Sequence, residues 1–570
     1  MKDKLLNNLY IKITLIIILF LIGGTHFISF WKPISGNPII YNLCSKELVD
    51  NFDLSLNYAG IINPFHCNFH SMLPTFLLAI PYKIFESTVI VTKIFNFFLL
   101  SVFIIYLSFK IKNLNSKLLI LSVWLSIPLI FQSLHNTDPD SNIGVLLVGL
   151  LFFQLNKKNL KDLNFIYIFL FIFLIIWTKI LTGIICSAAL VISALFFKNE
   201  VRIKILLSVI FSWIFFFITY LLIVKFFSLP QGNLFNLFKN LSLMKIEQSY
   251  SNFNVLLFGF KGLITWVGSF LLFIIFCHSF NLILLKFKNK TELNLGYYFA
   301  VISFFGGFLL VLISGSFNPR YLISFLFPVI FVFLNFNLNY KNNNYYFRRS
   351  LILSILFYSF LIFITKDLVS ITSNMSKIDI NTFLKFIILF LPLISYLIFQ
   401  VINRNNMFSF KNEIIILFMI LPNCIINLNQ SLSKSQYGTQ MQGLIGFKET
   451  VSYIKNKEHL YDQIFVDHID IGFYLKSSVA HLVHPKLDIP TMENLYNISD
   501  SDLPKSLLYP YNFDTYFLKL IENKSNFKYL IVLREKNKEM MSGKNYIHLN
   551  NNCSKQIGAF ILIENCKVKL

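Results

Sequence analysis

A chain of 570 residues that is 55% hydrophobic and 14% charged, with 66 Phe and a mean hydropathy of +0.64, carries more apolar side chain than a soluble core uses, which excludes the soluble globular class. Its formal charge of +22 would suit nucleic acid, yet the Lys and Arg come in pairs and triplets between apolar runs instead of on one basic face. They read as topology signals, and no nucleic-acid partner is expected.

A transmembrane helix takes about 20 mostly apolar residues. In chain order the predicted spans are Ile11–Phe30, Thr88–Phe109, Leu118–Leu134, Ser141–Leu155, Leu163–Trp177, Ile180–Phe197 and Ile205–Phe227. They continue with Leu263–Leu285, Leu295–Ile313, Tyr321–Leu334, Leu351–Ile364, Phe383–Phe399 and Ile414–Leu428. The fold class is therefore a polytopic α-helical membrane protein of about 13 spans. Alternate connections hold the cations, as cytoplasmic loops should: Lys110, Lys112 and Lys117; Lys157, Lys158 and Lys161; Lys198, Arg202 and Lys204; then Lys286, Lys288 and Lys290, Lys341, Arg348 and Arg349, and Arg404 and Lys411. That pattern predicts a multi-pass protein of the plasma (inner) membrane with a cytoplasmic N-terminus and everything after about residue 429 outside. The end of the first apolar run, "LIGGTHFISFW", lacks a small-x-small cleavage site, so a retained first helix is expected. Of seven cysteines, Cys44, Cys67, Cys553 and Cys566 then lie outside, where disulfides persist; the pairing stays open.

Two outer segments are too long to be mere connections, residues 31–87 and 230–260. The apolar part of the first, Met72–Phe85, is too short to span and carries Pro74 and Pro81, which predicts a broken segment lying along the membrane surface or re-entering it. Residues 1–429 form the predicted membrane domain. From residue 430 the sequence turns polar and charged. There "GFKETVSYIKNK" reads as an amphipathic helix and "QIFVDH", "KYLIVL" and "GAFILIEN" as short buried strands, a small extracytosolic α/β domain over residues 430–570.

Few residues can carry chemistry. Asp138 and Asp140 in "TDPDS" sit at the start of the fourth predicted span, where Asp caps a helix, and two close carboxylates also suit a divalent cation such as Mg or Mn; one can cap while the other binds. Lys179 in "IIWTKILTG" either faces a polar partner or marks a turn between two helices. Arg320, between Pro319 and Tyr321, stands at headgroup depth, snorkelling or gripping a phosphate with both arms. His66 and His70 would share a helical face, as in some metal sites, although Pro64 and the lack of a nearby Glu favour substrate contact or a plain interfacial role. Glu47, Asp50 and Asp53 read as a solvated face from which one carboxylate is a candidate base.

Taken in order, these features resemble the GT-C type membrane glycosyltransferases, among them protein O-mannosyltransferases, aminoarabinose transferases and the oligosaccharyltransferase catalytic subunit. The resemblance rests on a first helix, a long outer loop ending in "HSMLPTFLLAIPYKIF", the acidic "TDPDS", "WTKILTG", a late "NPRYLISFLFP" and a C-terminal outer segment. It implies a polyprenyl-phosphate-linked sugar donor, inversion at the anomeric carbon and a lipid, glycan or protein acceptor. It also implies that Asp138 or Asp140 is the second acidic site, and that Lys179 and Arg320 contact the donor phosphate. Relatives often carry an Asp early in the first outer loop, where "SGNPIIYNL" puts Asn37, a side chain that takes no proton near neutral pH. Either Asp50 or Asp53 serves instead, or activity is altered. The rival readings are a transporter or lipid flippase, a glycan polymerase or ligase, and an inactive relative that binds the lipid carrier.

Overall fold

The computed structural model describes residues 2–30, 38–56, 65–67, 72–111, 114–136, 139–157, 164–229, 269–288, 294–314, 319–339, 445–466, 470–475, 479–481, 528–535 and 553–565, with scattered positions between 256 and 268 and between 352 and 431. The predicted spans Leu351–Ile364, Phe383–Phe399 and Ile414–Leu428 fall almost wholly outside these residues.

The chain divides into two compact units. Unit 1 comprises Met1–Lys32, Lys93–Ile218 and Tyr250–Ser433. Its helices are α1 (Lys2–Phe30), α4 (Val89–Lys110), α5 (Leu114–Ser126), α6 (Pro128–Asn136), α7 (Pro139–Leu155), α8 (Phe165–Thr178), α9 (Ile180–Ala194), α10 (Asn199–Phe226), α11 (Ser269–Lys288), α12 (Leu295–Ser314) and α13 (Ile323–Asn339), with α4 and α10 each running across a unit boundary. By length and apolarity four described helices can cross a membrane, α1, α4, α10 and α12, and five if α5 and α6 make one bent span. The predicted span Leu118–Leu134 is thus found as two helices, α5 and α6, instead of one straight one. A 71° bend separates α5 from α6, because Pro128 cannot continue the ladder of α5 but fits the first turn of a new helix, where its missing donor would be unpaired anyway.

Five helices of unit 1 pack in a closed cycle. Helix α7 lies on α8, α8 on α9, α9 on α12, α12 on α13, and α13 back on α7. Two sets of close approaches fix which ends meet. At one end, the start of α7 touches the last turn of α8 and the start of α13 through Gly144, Thr178 and Ser324. At the other, Asn294 Nδ2 donates to Asn156 Oδ1 at 3.0 Å and Tyr298 stacks on Phe196, joining the exit of α7 and of α9 to the start of α12. Helices α7, α9 and α13 therefore run one way and α8 and α12 the other, and the second end carries Lys157 and Lys198, the lysines read as cytoplasmic.

Unit 2 gathers Pro33–Thr92, Thr219–Ser249 and Lys434–Leu570. Helix α2 (Pro38–Asp50) packs on α3 (Met72–Phe85), and Asn42 Oδ1 accepts from Tyr82 Oη at 3.1 Å and Thr92 Oγ1 at 3.2 Å, a buried polar knot between them. α3 is unbroken, contrary to expectation: Pro74 sits in its first turn, and Pro81 lies inside the helix. A Cys44–Cys67 disulfide ties α2 to the two-residue strands β1 (Ser55–Leu56) and β2 (Phe65–His66), a 23-residue closure worth about 3 kcal/mol in loop entropy. Cys553 is also disulfide-bonded.

The C-terminal part holds a five-stranded sheet in the order β4-β3-β5-β7-β6, with β3 (Gln463–Val466), β4 (Val479–His481) and β5 (Tyr529–Arg534) parallel and β6 (Ser554–Ile557) and β7 (Phe560–Glu564) antiparallel. Strands β3, β5 and β7 are buried along nearly their whole length, so they read as continuous apolar runs without alternation. Helix α14 (Phe447–Lys457) lays Phe447, Val451 and Ile454 on Ile464, Val466, Leu530, Val532, Phe560 and Leu562. The short α15 (Asp470–Tyr474) packs on α2, where Lys46 Nζ donates to the Leu475 carbonyl at 2.7 Å.

At the edge of this layer Tyr453 donates to Glu564, and Lys457 Nζ lies 2.6 Å from Tyr453 Oη and 3.4 Å from Glu564 Oε2. Burial raises the Glu564 carboxyl, but hydrogen bonds from Tyr453 and Tyr461 and the charge of Lys457 outweigh it and hold the group below the usual carboxylate value. A depressed folded value means that the carboxylate stabilises the fold above its ordinary titration range and stops doing so as pH falls through the folded value. Glu564→Gln is expected to cost about 1 kcal/mol at neutral pH and almost nothing under strong acid, measured as the difference in denaturation midpoints across pH. An equal loss at both extremes contradicts the assignment.

Candidate functional site

The first end of the helix cycle is where the predicted cations gather. Gly144 lies in α7, Thr178 closes α8 and Ser324 lies in α13. A Cβ added at Gly144 would stand 2.6 Å from Ser324 Oγ and 4.0 Å from Thr178 Cγ2, so the three helices meet here through small side chains and a larger one would have to displace the Ser324 hydroxyl. Asp140 precedes Gly144 by four residues, Arg320 precedes Ser324 by four, and Lys179 follows Thr178 directly. At about 1.5 Å of rise per residue, each candidate stands within about 6 Å along its chain of one junction.

Lys179 is the single extended residue between α8 and α9, with φ −161° and ψ 113°. Its amide bonds back to the Ile175 carbonyl, closing α8, while its own carbonyl receives the Gly183 amide and opens α9. The helix break turns its half-buried side chain towards Tyr321, whose ring centroid lies 5.2 Å from Nζ. A cation over a tyrosine face gains about 0.5–2 kcal/mol, enough to hold a long side chain in place. Arg320 and Tyr321 belong to one 3-10 turn, Arg320–Leu322, set up by the buried Pro319 and leading straight into α13. Both are half-buried. The structure thus brings Lys179, Arg320 and Tyr321 together, and puts Asp140 in the first turn of α7.

Of Asp140 only the backbone is described, and Asp138, Asn37 and His70 lie outside the described residues. Asp53 and His66 belong to unit 2. Asp53 is half-buried, its carboxylate accepting the Leu54 amide at 2.7 Å, and Leu54 in turn accepts from the Cys67 amide at 2.8 Å. His66 lies in β2, paired with Ser55, so at His66 the chain is a strand and not the helix on which two imidazoles would share a face. Among the described residues no three His, Cys, Asp or Glu side chains gather as a metal ion would require.

Glu47, one of the three carboxylates read as candidate bases, also lies in unit 2. Glu47 is half-buried on α2; burial first, then the nearby Asp53 and Asp50, hold its carboxyl above the usual range despite a 2.6 Å hydrogen bond from Asn51. A carboxyl raised towards neutrality is what a general base needs. Glu47 is half-buried on the helix that also carries the buried Asn42, Cys44 and Ser45, whereas Asp50 is exposed.

No family model matches the sequence, and no curated protein matches it. Solved structures do. The crystal structure of ArnT from Cupriavidus metallidurans bound to undecaprenyl phosphate superposes with a TM-score of 0.56 at 12% identity, covering 96% of this chain and 97% of that one, and the apo structure of the same protein gives the same values. The archaeal oligosaccharyltransferase AglB from Archaeoglobus fulgidus, in complex with an inhibitory peptide and a dolichol-phosphate, aligns at 11% identity and a TM-score of 0.46 over 91% of this chain and 70% of that chain. The likeness to ArnT is one of fold along nearly the whole length of both chains, and with the apolar helices it makes this a polytopic membrane protein.

Gly144→Val would drive a branched side chain into Ser324 and Thr178. Overpacking of this kind is expected to cost about 1–3 kcal/mol, read as a lowered thermal midpoint in detergent, and to be partly relieved by Ser324→Gly. A Gly144→Val variant as stable as the parent rules out the three-helix approach.

Proposed function

We propose that this chain, built on the fold of the GT-C type membrane glycosyltransferases, transfers a sugar from a polyprenyl-phosphate-linked donor to a lipid, glycan or protein acceptor on the extracytosolic face. One observation carries the reading: two cations and the first turn of α7 converge at the end of the helix cycle opposite Lys157 and Lys198. Helices α7 and α13 also begin at this end, and helix starts favour anions through their unpaired amides. The neighbour ArnT holds undecaprenyl phosphate, a lipid ending in the anion such a site suits.

In the proposed mechanism a carboxylate of the acidic turn, Asp138 or Asp140, takes the proton from the acceptor's hydroxyl or amide. The acceptor atom attacks the anomeric carbon from the face opposite the phosphate, and the bond from that carbon to the phosphate oxygen breaks, inverting the centre. Negative charge grows on the departing lipid phosphate. Arg320 meets it with a planar pair of donors and Lys179 with a compact charge, held in register by Tyr321. His66, His70 and Asp53 are proposed to line the acceptor side, and Asn37 to position substrate without taking a proton. If the acidic pair binds Mg or Mn, the cation would add charge at the same phosphate; no step above runs through it.

A carrier-binding relative without transfer is the second reading, favoured by Asn37 where a base would stand. Purified protein with labelled polyprenyl-phosphate sugars and a membrane extract separates the two. Transfer by the parent, falling about a hundredfold or more in Arg320→Ala, Lys179→Ala and Asp140→Asn with Arg320→Lys between, is expected. Transfer slowed by less than about tenfold in all of them, roughly 1.4 kcal/mol of barrier, overturns the site, and carrier binding without transfer favours the second reading.

A further inference from the structure

We propose that Phe52, in the first outer loop, is a single-ring anchor that sits among the acyl chains of the outer leaflet beside the last turn of α10. The proposal rests on the chain lying in a membrane and is independent of the transfer reaction.

The residue stands out first by its backbone. The Asn51 amide still bonds to the Glu47 carbonyl at 2.9 Å, so α2 closes at Asn51, and the next residue, Phe52, turns left-handed with φ 54°. Glycine is the usual occupant of that position after a helix, because a side chain there crowds its own backbone. A bulky residue held in this region calls for something that its side chain does. Burial is not it: Phe52 is 67% exposed, between the exposed Asn51 and the half-buried Asp53. What the ring touches is the end of α10, with centroids 5.7 Å from Phe227 and 6.3 Å from Phe226, and all three residues belong to unit 2.

Helix α10, long and apolar enough to cross a membrane, fixes the level at which this happens. Its exposed apolar residues run from Ile203 to Phe226, about 35 Å at about 1.5 Å per residue, which fills the hydrocarbon of a bilayer, about 30 Å, from one boundary to the other. Exposed cations bracket the row, Arg202 and Lys204 at its start and Lys225 at its end, as they do where a helix leaves hydrocarbon for headgroups. The helix then stops: Ser228 is left-handed at φ 52°, and the Leu229 amide bonds back to the Val224 carbonyl at 2.8 Å. Phe226, 69% exposed, is thus the last residue of the row and stands at the hydrocarbon boundary. Since α10 starts just after Lys198, a lysine read as cytoplasmic, that boundary is the outer one. Phe52 extends the same surface by one ring contributed from another part of the chain. The occupant is therefore hydrocarbon, by continuity with a row that faces it, and the polar Asn51 and Asp53 on either side limit the insertion to one side chain.

The full chain carrying Phe52→Trp, reconstituted in phosphatidylcholine nanodiscs, would be read by its added fluorescence over the parent, which supplies the background of the five native tryptophans. Lipids brominated high in the acyl chain are expected to quench the added emission more than lipids brominated near the chain end, and acrylamide in the water to quench it little. Phe226→Trp should show the same order. Elution and thermal midpoint are checked against the parent. If Phe52→Trp does not fold, p-benzoylphenylalanine in place of Phe52 decides instead, with phospholipid adducts expected on the peptide that carries it after irradiation. Quenching by acrylamide without quenching by bromolipid would put the ring in water, and quenching by neither, or photo-adducts on protein alone, would put it under another polypeptide. Each of these overturns the proposal, as does a Phe226→Trp emission that bromolipid leaves unchanged.

Discussion

The contact on which the rest depends is the meeting of α7, α8 and α13 at Gly144, Thr178 and Ser324. A glycine inside a helix costs about 0.5–1 kcal/mol against alanine, and α7 bears that cost where the Ser324 hydroxyl occupies the space a methyl group would take. The return is geometric. With α7, α8 and α13 drawn together, the residues just before or after each contact are held at one end of a closed cycle. Those residues are Asp140, Lys179 and Arg320. A larger residue at Gly144 would push apart segments that lie far from one another in sequence.

Electrostatics then give that end its character. Lys179 stands where the negative end of α8 meets the positive end of α9, so the two dipoles largely cancel at its backbone, and the ring of Tyr321 supplies the local attraction. Arg320 is placed differently. Its 3-10 turn follows a buried proline with fixed φ, which leaves the guanidinium little backbone freedom before α13 begins. Under the proposed transfer, cations held in this way would not have to rearrange as charge develops on the departing phosphate.

Parts of this were legible in the sequence for physical reasons. Apolar runs of sufficient length mark helices, so α4, α7, α8, α9, α10 and α12 lie within a few residues of their predicted limits, and the three runs "QIFVDH", "KYLIVL" and "GAFILIEN" form β3, β5 and β7. Charge in apolar surroundings drew attention to Lys179 and Arg320, which the structure brings to one end. Proline was read unevenly. Pro128 ends α5 with a 71° bend that hydropathy alone passed over, while Pro81, expected to break a helix, is carried inside α3. What was not legible is pairing through space. The Tyr321 ring beneath Lys179, the Asn42 knot with Tyr82 and Thr92, and the His26–His135 bond across 109 residues have no local periodicity to announce them. Which of Glu47, Asp50 and Asp53 is covered was not legible for a related reason: it depends on how α2 packs, which composition does not record.

The most direct measurement is a cryo-EM map of the detergent-solubilised protein with a polyprenyl phosphate bound. The account predicts phosphate density at the α7, α8 and α13 junction, within about 3 Å of both the Arg320 guanidinium and the Lys179 ammonium, with the Asp140 carboxylate facing the same cavity. Phosphate seated elsewhere while these three side chains point to separate surfaces would contradict it.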